Sequence, residues 1–381
     1  MVVTRVKLTN WRNFQKVDVR LSERTFVVGP NAAGKSNFLD VFRFLRDVAS
    51  GKGGGLQQAV SARGGVSKLR SLAARKNPKI EIEVQLANGN AENAVWRYGI
   101  GIKQENKGKR RILLAYEKVW RGDDLILNRP DEQDQRDAER LTQTYLENPS
   151  TNEKFRQICQ FFVSVSYLHL VPQLLRTLES VAGGGSGEDY YGKNFLARVA
   201  KTPHRIRDSR LKRIEYALRI AVPQFDELRL EKDDAGIPHL EVKLTHWRPG
   251  AGRQREDQFS DGTIRMIGLF WSLLESDSLL LFEEPELSLN DRIVSQLPSI
   301  IWKLQSSRGR QVLLSTHSHA LLEDPGIRSD EIILLRPDKE GTAALNASSI
   351  EEVDTLLKAG MTAADAVLPH TVPAGVDELS L

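Results

Sequence analysis

Three nearly unbroken apolar runs, SLLLF at 278–282, QVLLS at 311–315 and EIILL at 331–335, constrain this chain more than any other feature. They lack the in–out alternation of a half-wet strand, so both faces of each must be buried. The stretches between them are helical in spacing, which makes βαβ crossovers and a parallel sheet. Near the N-terminus TFVV, ending at Val28, reads as a short apolar strand running into a loop and then into SNFLDVFRFLRDV, whose apolar residues recur at helical spacing. The two ends of the chain are therefore expected to form one α/β domain, with the middle inserted.

The middle has a different grammar. Ile80, Ile82, Val84 and Leu86 alternate with polar residues, and AVWRYGIGI, RILLAYEKVW and DLILN follow at turn-separated intervals. That pattern describes an antiparallel lobe with one wet face. From about Asp131 to Arg219 the reading turns helical, interrupted by FFVSVSYLHLV, read as a strand, and by AGGGSG at 182–187, read as a mobile loop. ASGKGGG at 49–55 reads as a flexible connection. The expected fold class is α/β, with a mixed parallel sheet, an antiparallel β lobe and an inserted helical region. The expected domains are 1–75 with 220–381, and an insertion over 76–219.

Composition removes several classes. Apolar content of 40% with 27% charged residues excludes a disordered or collagen-like chain. The single cysteine, Cys159, excludes an intramolecular disulfide and a multi-cysteine zinc site, and reads as a small buried hydrophobe. There is neither a membrane-length apolar run nor a signal-peptide layout, so a cytoplasmic protein without a membrane partner is expected. The net charge of +4 permits nucleic-acid contact without demanding it. Basic residues cluster at Lys107, Lys109, Arg110 and Arg111, at Arg63, Lys68, Arg70, Arg75 and Lys76, and along 204–219, HRIRDSRLKRIEYALR. A basic helix of that kind is more often a solvated face than a DNA contact. Trp247 and Trp271 read as packing residues.

VVGPNAAGKSN, residues 27–37, satisfies G-x-x-x-x-G-K-[ST] with a strand before it and a helix after it. Backbone N–H groups from Gly29, Pro30, Asn31, Ala32, Ala33, Gly34, Lys35, Ser36 and Asn37 (the proline excepted) are placed to hold phosphates at a helix N-terminus. Lys35 would reach the β and γ phosphates and the Ser36 hydroxyl would ligate magnesium, which makes ATP and Mg2+ the expected cofactors. Alone, such a loop serves a kinase, a GTPase or a motor. SLLLFEEPE adds Glu283 and Glu284 where an apolar strand stops, suited to holding the metal and orienting an attacking water. Before it, QFSDGTIRMIGLFWSLL places a polar turn ahead of an apolar helix; after it, QVLLSTHSH puts His317 at the end of the next strand. His317 and His319 lack a nearby third ligand, which argues against a metal site there.

In this order the motifs resemble the RecF, structural-maintenance-of-chromosomes (SMC) and OLD-type branch of ABC ATPases, over residues 1–50 and 255–340. The resemblance implies an ATPase in which Phe259 to Thr263 form the signature motif. Ser260 and Gly262 would then face the γ-phosphate held by another subunit, giving a head-to-tail homodimer around two ATPs. Glu284 matches the catalytic base, Glu283 the metal-associated acid and His317 the switch histidine, while Ser288, Leu289 and Asn290 match a subunit-contacting loop. Arg12, in LTNWRNF, matches an arginine near the nucleotide, and Gln173 is the candidate magnesium-sensing glutamine. Glu283 stands where ABC proteins usually have aspartate, Asp261 where many have glycine, and Asn290 where many contact loops have aspartate.

The short insertion implies a compact protein. OLD proteins carry a Toprim nuclease after the histidine motif; the remaining chain is too short for one and has no Asp-x-Asp pair, so no nuclease activity of its own is expected. The first functional expectation is a sensor and scaffold that controls a separately encoded effector, such as a Toprim-type nuclease, in anti-phage defence. The alternative is a RecF-like, ATP-dependent DNA-binding protein of recombination or repair, with DNA as the further partner.

Overall fold

The computed structural model describes residues 1–51, 53–74, 78–88, 95–105, 110–169, 171–176, 192, 194–245, 252–275 and 278–372. The apolar runs build one sheet. It contains β3 (Arg24–Val28), β8 (Ser166–Leu168), β12 (Leu280–Glu283), β13 (Val312–Thr316), β14 (Ile332–Asp338) and β15 (Gly341–Asn346), in the order β15-β14-β3-β13-β12-β8. All neighbours are parallel except β15, which returns antiparallel on β14. Every residue of β3 and β13 is buried, as strands covered on both faces require.

Side-chain alternation sends successive residues of these strands into opposite cores. Val27, Leu281, Leu313 and Ile333 join a core with the helix Lys35–Ala49 and the antiparallel lobe. Phe26, Val28, Phe282, Leu314 and Leu334 join a second core with the helix Asp261–Glu275. The parallel sheet is thus the middle layer, and its C-terminal edge emerges between the two helices that open with the phosphate loop and the Ser-Asp-Gly turn.

The lobe is a six-stranded antiparallel sheet containing β1 (Val2–Trp11), β2 (Phe14–Arg20), β4 (Ile80–Ala87), β5 (Trp96–Gln104), β6 (Ile112–Arg121) and β7 (Asp124–Arg129), in the order β2-β1-β4-β5-β6-β7. It runs across the boundary expected at 75/76, because β1 pairs with β4 from Val2 opposite Ala87 to Thr9 opposite Glu81. Val3, Val6 and Leu8 alternate inward on β1 and are buried with Ile82, Val84 and Leu86 of β4, so burial joins the first strands to the lobe. A third small sheet, β11-β10-β9, uses β9 (Phe225–Lys232), β10 (Pro238–Leu244) and β11 (Arg253–Arg255).

One expected strand is half helix. FFV of FFVSVSYLHLV closes the helix Arg156–Val163, and only Ser166–Leu168 forms a strand. Ile158, Phe161 and Phe162 sit at helical spacing and are all buried, with the Phe162 ring 5.9 Å from that of Tyr98. Trp271 is fully buried against Phe195, as expected of a packing residue. Cys159 is half-buried, and burial pushes its thiol pKa up. Arg63 belongs to no basic surface: it is paired inside with Asp40 at 2.9 Å and Asp47 at 2.8 Å. The loop at 182–187, Arg75, Lys76, Lys107, Lys109 and Trp247 lie outside the described residues. Among the described residues no helix is long and apolar enough to cross a membrane.

Candidate functional site

β3 delivers the chain to the phosphate loop. Gly29 passes so near β14 that a Cβ there would lie 2.9 Å from Leu335 Cβ. Gly34 has φ of 95°, the left-handed region that favours glycine, and starts the helix at Lys35. Lys35 is buried and folds back across the loop, Nζ donating to the carbonyls of Gly29 at 3.1 Å and Pro30 at 3.3 Å. Asn31, Ala32, Gly34, Lys35, Ser36, Asn37 and Glu284 line a cavity of about 230 Å³.

Asn13 braces the loop from outside. Its Nδ2 donates to Ala33 O and to Thr342 Oγ1, each at 2.8 Å, while its Oδ1 accepts from Asn37 Nδ2 at 2.8 Å. Sequence reasoning fell on its neighbour Arg12 and missed it. Arg12 itself donates to Asp40 at 2.7 Å. Burial opposes ionisation of Asp40, yet Arg63, Arg12 and Arg43 around it hold its pKa below the ordinary value. Arg12 also lines a second cavity of about 590 Å³ with Asn37, Lys68, Arg70 and Lys339, and Asn37 is shared with the phosphate-loop cavity.

The acidic strand end comes to the same place. β12 lies beside β13, and β13 beside β3, so the ends of three parallel strands converge, where open α/β sheets hold their ligands. Glu283 Oε1 accepts from the Ser36 hydroxyl, and its Oε2 accepts from the Tyr167 hydroxyl. Glu284, at φ of 44°, turns out of the strand. Its Oε1 lies 3.6 Å from Lys35 Nζ and 3.3 Å from His317 Nδ1. Lys35, Ser36, Glu283, Glu284 and His317, scattered over 280 positions of sequence, are thus one cluster. The Ser36 hydroxyl and the Glu283 carboxylate in mutual contact are hard oxygen donors, a set that fits magnesium.

Glu286 was not foreseen, although it is the third acid of FEEPE. It is buried, its Oε1 accepting from Thr316 Oγ1 at 2.6 Å and from His317 N at 3.3 Å, and burial raises its pKa. It ties the acidic strand end to the histidine turn. His319 instead pairs with Glu323 at 3.1 Å, and among the described residues no group of three His, Cys, Asp or Glu could hold a metal ion.

The signature turn stands apart. Ser260 caps its helix, accepting from Thr263 N at 3.1 Å, and Gly262 lies so close to the 284–290 loop that a Cβ would sit 2.7 Å from Ser288 O. Asn290 caps the short helix Asp291–Val294 through Arg292 N at 2.9 Å. Gln173 donates to Asp261 at 3.0 Å. That places it at the signature turn, and no hydrogen bond joins it to Ser36 or Glu283 among the described residues.

The family described as "AAA domain, putative AbiEii toxin, Type IV TA system" matches residues 24–323, a span that runs from β3 through the histidine turn. The chain belongs to this AAA family. It is an ATP-binding and ATP-hydrolysing protein with an ABC-type head. The same fold occurs in an SMC head bound to the C-winged helix domain of ScpA, at 14% identity and a TM-score of 0.56, covering 91% of this chain and 98% of that one. It occurs again in the Smc head of Pyrococcus furiosus with an extended coiled coil, bound to the C-terminal domain of ScpA, at 13% identity and a TM-score of 0.52, covering 93% and 99%. No curated protein matches the sequence. The AAA protein therefore shares the fold of these SMC heads.

Proposed function

We propose that this ATPase works as an ATP-gated, head-to-tail homodimer that binds DNA in recombination or repair, in the manner of RecF. The observation that carries the reading is the division of the site. Lys35, Ser36, Glu283, Glu284 and His317 meet within one chain, whereas no hydrogen bond joins Ser260 or Gly262 to the phosphate loop among the described residues. A second copy would bring its signature helix N-terminus, with its positive dipole, to the γ-phosphate.

Incoming phosphates would draw Lys35 off the carbonyls of Gly29 and Pro30 and away from Glu284. The freed Glu284 then accepts a proton from the attacking water, steered by its contact with His317 Nδ1. Water oxygen bonds to the γ-phosphorus as the bond to the ADP oxygen breaks. Ser36 and Glu283 would hold magnesium, which supplies charge neutralisation on the β and γ oxygens. Replacing Glu284 by Gln should lower phosphate release by roughly 10²–10⁴-fold and leave an ATP-bound dimer that size-exclusion chromatography resolves. Undiminished turnover would remove Glu284 from this role.

DNA contact is supported by the likeness to SMC heads and by the helix His204–Ala221. Its Arg205, Lys212 and Arg213 are exposed and make no ion pair or hydrogen bond among the described residues. ATP-dependent DNA affinity that falls steeply with salt, and falls further on R205E/K212E/R213E, is the expected result. The second reading is the one first expected from the sequence, control of a separately encoded effector in defence. No salt-sensitive DNA affinity, together with a nuclease that co-purifies with the Glu284→Gln dimer, would favour it instead.

A further inference from the structure

We propose that Tyr167 is a positioning residue for the magnesium site, holding Glu283 in the one orientation from which its carboxylate serves both the metal and Ser36. The inference rests on the reading of Ser36 and Glu283 as metal-holding residues.

β8 is the edge strand beside β12, with Tyr167 opposite Leu281, two residues before the acid. The tyrosine is buried in the core shared with the phosphate-loop helix, and Arg43 of that helix lies over its ring at 4.2 Å. Strand pairing below and a guanidinium above fix the ring. A buried tyrosine needs a hydrogen-bond partner, and any backbone carbonyl would serve. Here the hydroxyl donates to Glu283 Oε2, the oxygen that Ser36 does not use.

This division of labour accounts for glutamate where an aspartate is usual. The extra methylene lets one carboxylate span from Ser36 to Tyr167, and it also adds a rotatable bond that an unheld glutamate would leave free. The donor from Tyr167 removes that freedom. A metal on a Ser36 lone pair would leave the serine hydroxyl hydrogen in place to keep donating to Glu283 Oε1. Glu283 would then serve the ion through the remaining lone pairs of that oxygen or through the ion's water shell, with Oε2 anchored by Tyr167. Partners that orient metal-binding groups typically contribute 10–100-fold to metal affinity.

The test is Mn2+ binding to the full chain in the presence of a non-hydrolysable ATP analogue, read by electron paramagnetic resonance, with thermal unfolding as the control for fold. Tyr167→Phe should weaken Mn2+ roughly tenfold and leave binding of the analogue without metal unchanged. In a Glu283→Ala background the same change should have no further effect, because the acid it orients is gone. Glu283→Asp, which cannot reach both Ser36 and Tyr167, should weaken Mn2+ to a similar extent, and this variant carries the test if Tyr167→Phe does not fold. Native Mn2+ affinity in Tyr167→Phe or Glu283→Asp, with Ser36→Ala and Glu283→Ala impaired, would overturn the role of Tyr167 and leave the metal site standing. Native affinity in Ser36→Ala and Glu283→Ala as well would overturn the metal site itself.

Discussion

The lobe and the ATP site each bury charge, and they do so in opposite ways. In the lobe Arg129 is buried with Glu117 and Asp134. It donates to Asp134 at 2.8 and 2.9 Å, to Glu117 at 3.1 Å and to the carbonyls of Arg140 and Gln143 at 2.8 and 2.9 Å. Glu117 in turn accepts from Tyr145 N, Leu146 N and the Tyr98 hydroxyl. All five N–H groups of the Arg129 guanidinium have an acceptor. At the ATP site Lys35 settles for two carbonyls and a carboxylate 3.6 Å away, and buried Glu286 Oε2 has no hydrogen-bond partner among the described residues. Saturated networks hold a fold together, whereas unmet polar capacity gathered in a cleft leaves something for a ligand to satisfy.

The sharpest way to break this contrast is to remove one member of the saturated set. Glu117→Ala removes one of the two carboxylates on buried Arg129 and strands the buried donors of Tyr98, Tyr145 and Leu146, and should cost about 3–5 kcal/mol of stability in urea unfolding. A loss below 1 kcal/mol would put the lobe network on a par with the site. Lys35→Ala should do the reverse, costing about 2–3 kcal/mol of ATP affinity by calorimetry with little change in unfolding midpoint. The smallest effect belongs to Glu286. Burial raises its folded pKa above the unfolded value, so its contribution to stability is full below the ordinary carboxyl range and is lost as pH rises through the raised value. Glu286→Gln should therefore flatten the pH dependence in that window and stabilise the fold at neutral pH. An unchanged pH profile would show that Thr316 and His317 offset the burial in full.

The residues of the site that were legible in sequence share one property, placement in short contiguous motifs. Lys35 and Ser36 are announced by their glycines, Glu283 and Glu284 by the end of an apolar run, His317 by the next such end. The parallel sheet was legible for the same reason, since a strand buried on both faces shows it locally. Asn13, Tyr167 and Glu286 were not, because what they do depends on distant chain brought near: Tyr167 meets an acid 116 positions away. The lobe's extent failed likewise. Nothing local in β1 says that it pairs with β4, a pairing that places β1 in the lobe sheet, across the 75/76 cut. Arg63 looked like surface charge until the fold set Asp40 and Asp47 around it. FFV misled because two aromatics and a valine favour a strand locally, while the packing of Ile158, Phe161 and Phe162 favours a helix.

The brace behind the phosphate loop carries a consequence for how the protein is made. Asn13 is bonded to Thr342, 329 positions later, and Val3, Arg20 and Arg24 are likewise tied to Gln311, Asn346 and Glu331. Contacts so remote in sequence form late, after the intervening chain has left the ribosome. The phosphate loop is synthesised well before the segments that complete it. A nascent chain halted before residue 310 should fail to retain ATP in a filter-binding assay. Nucleotide capture would then report that synthesis has reached the far side of the molecule, so that a half-made subunit could not enter the proposed dimer.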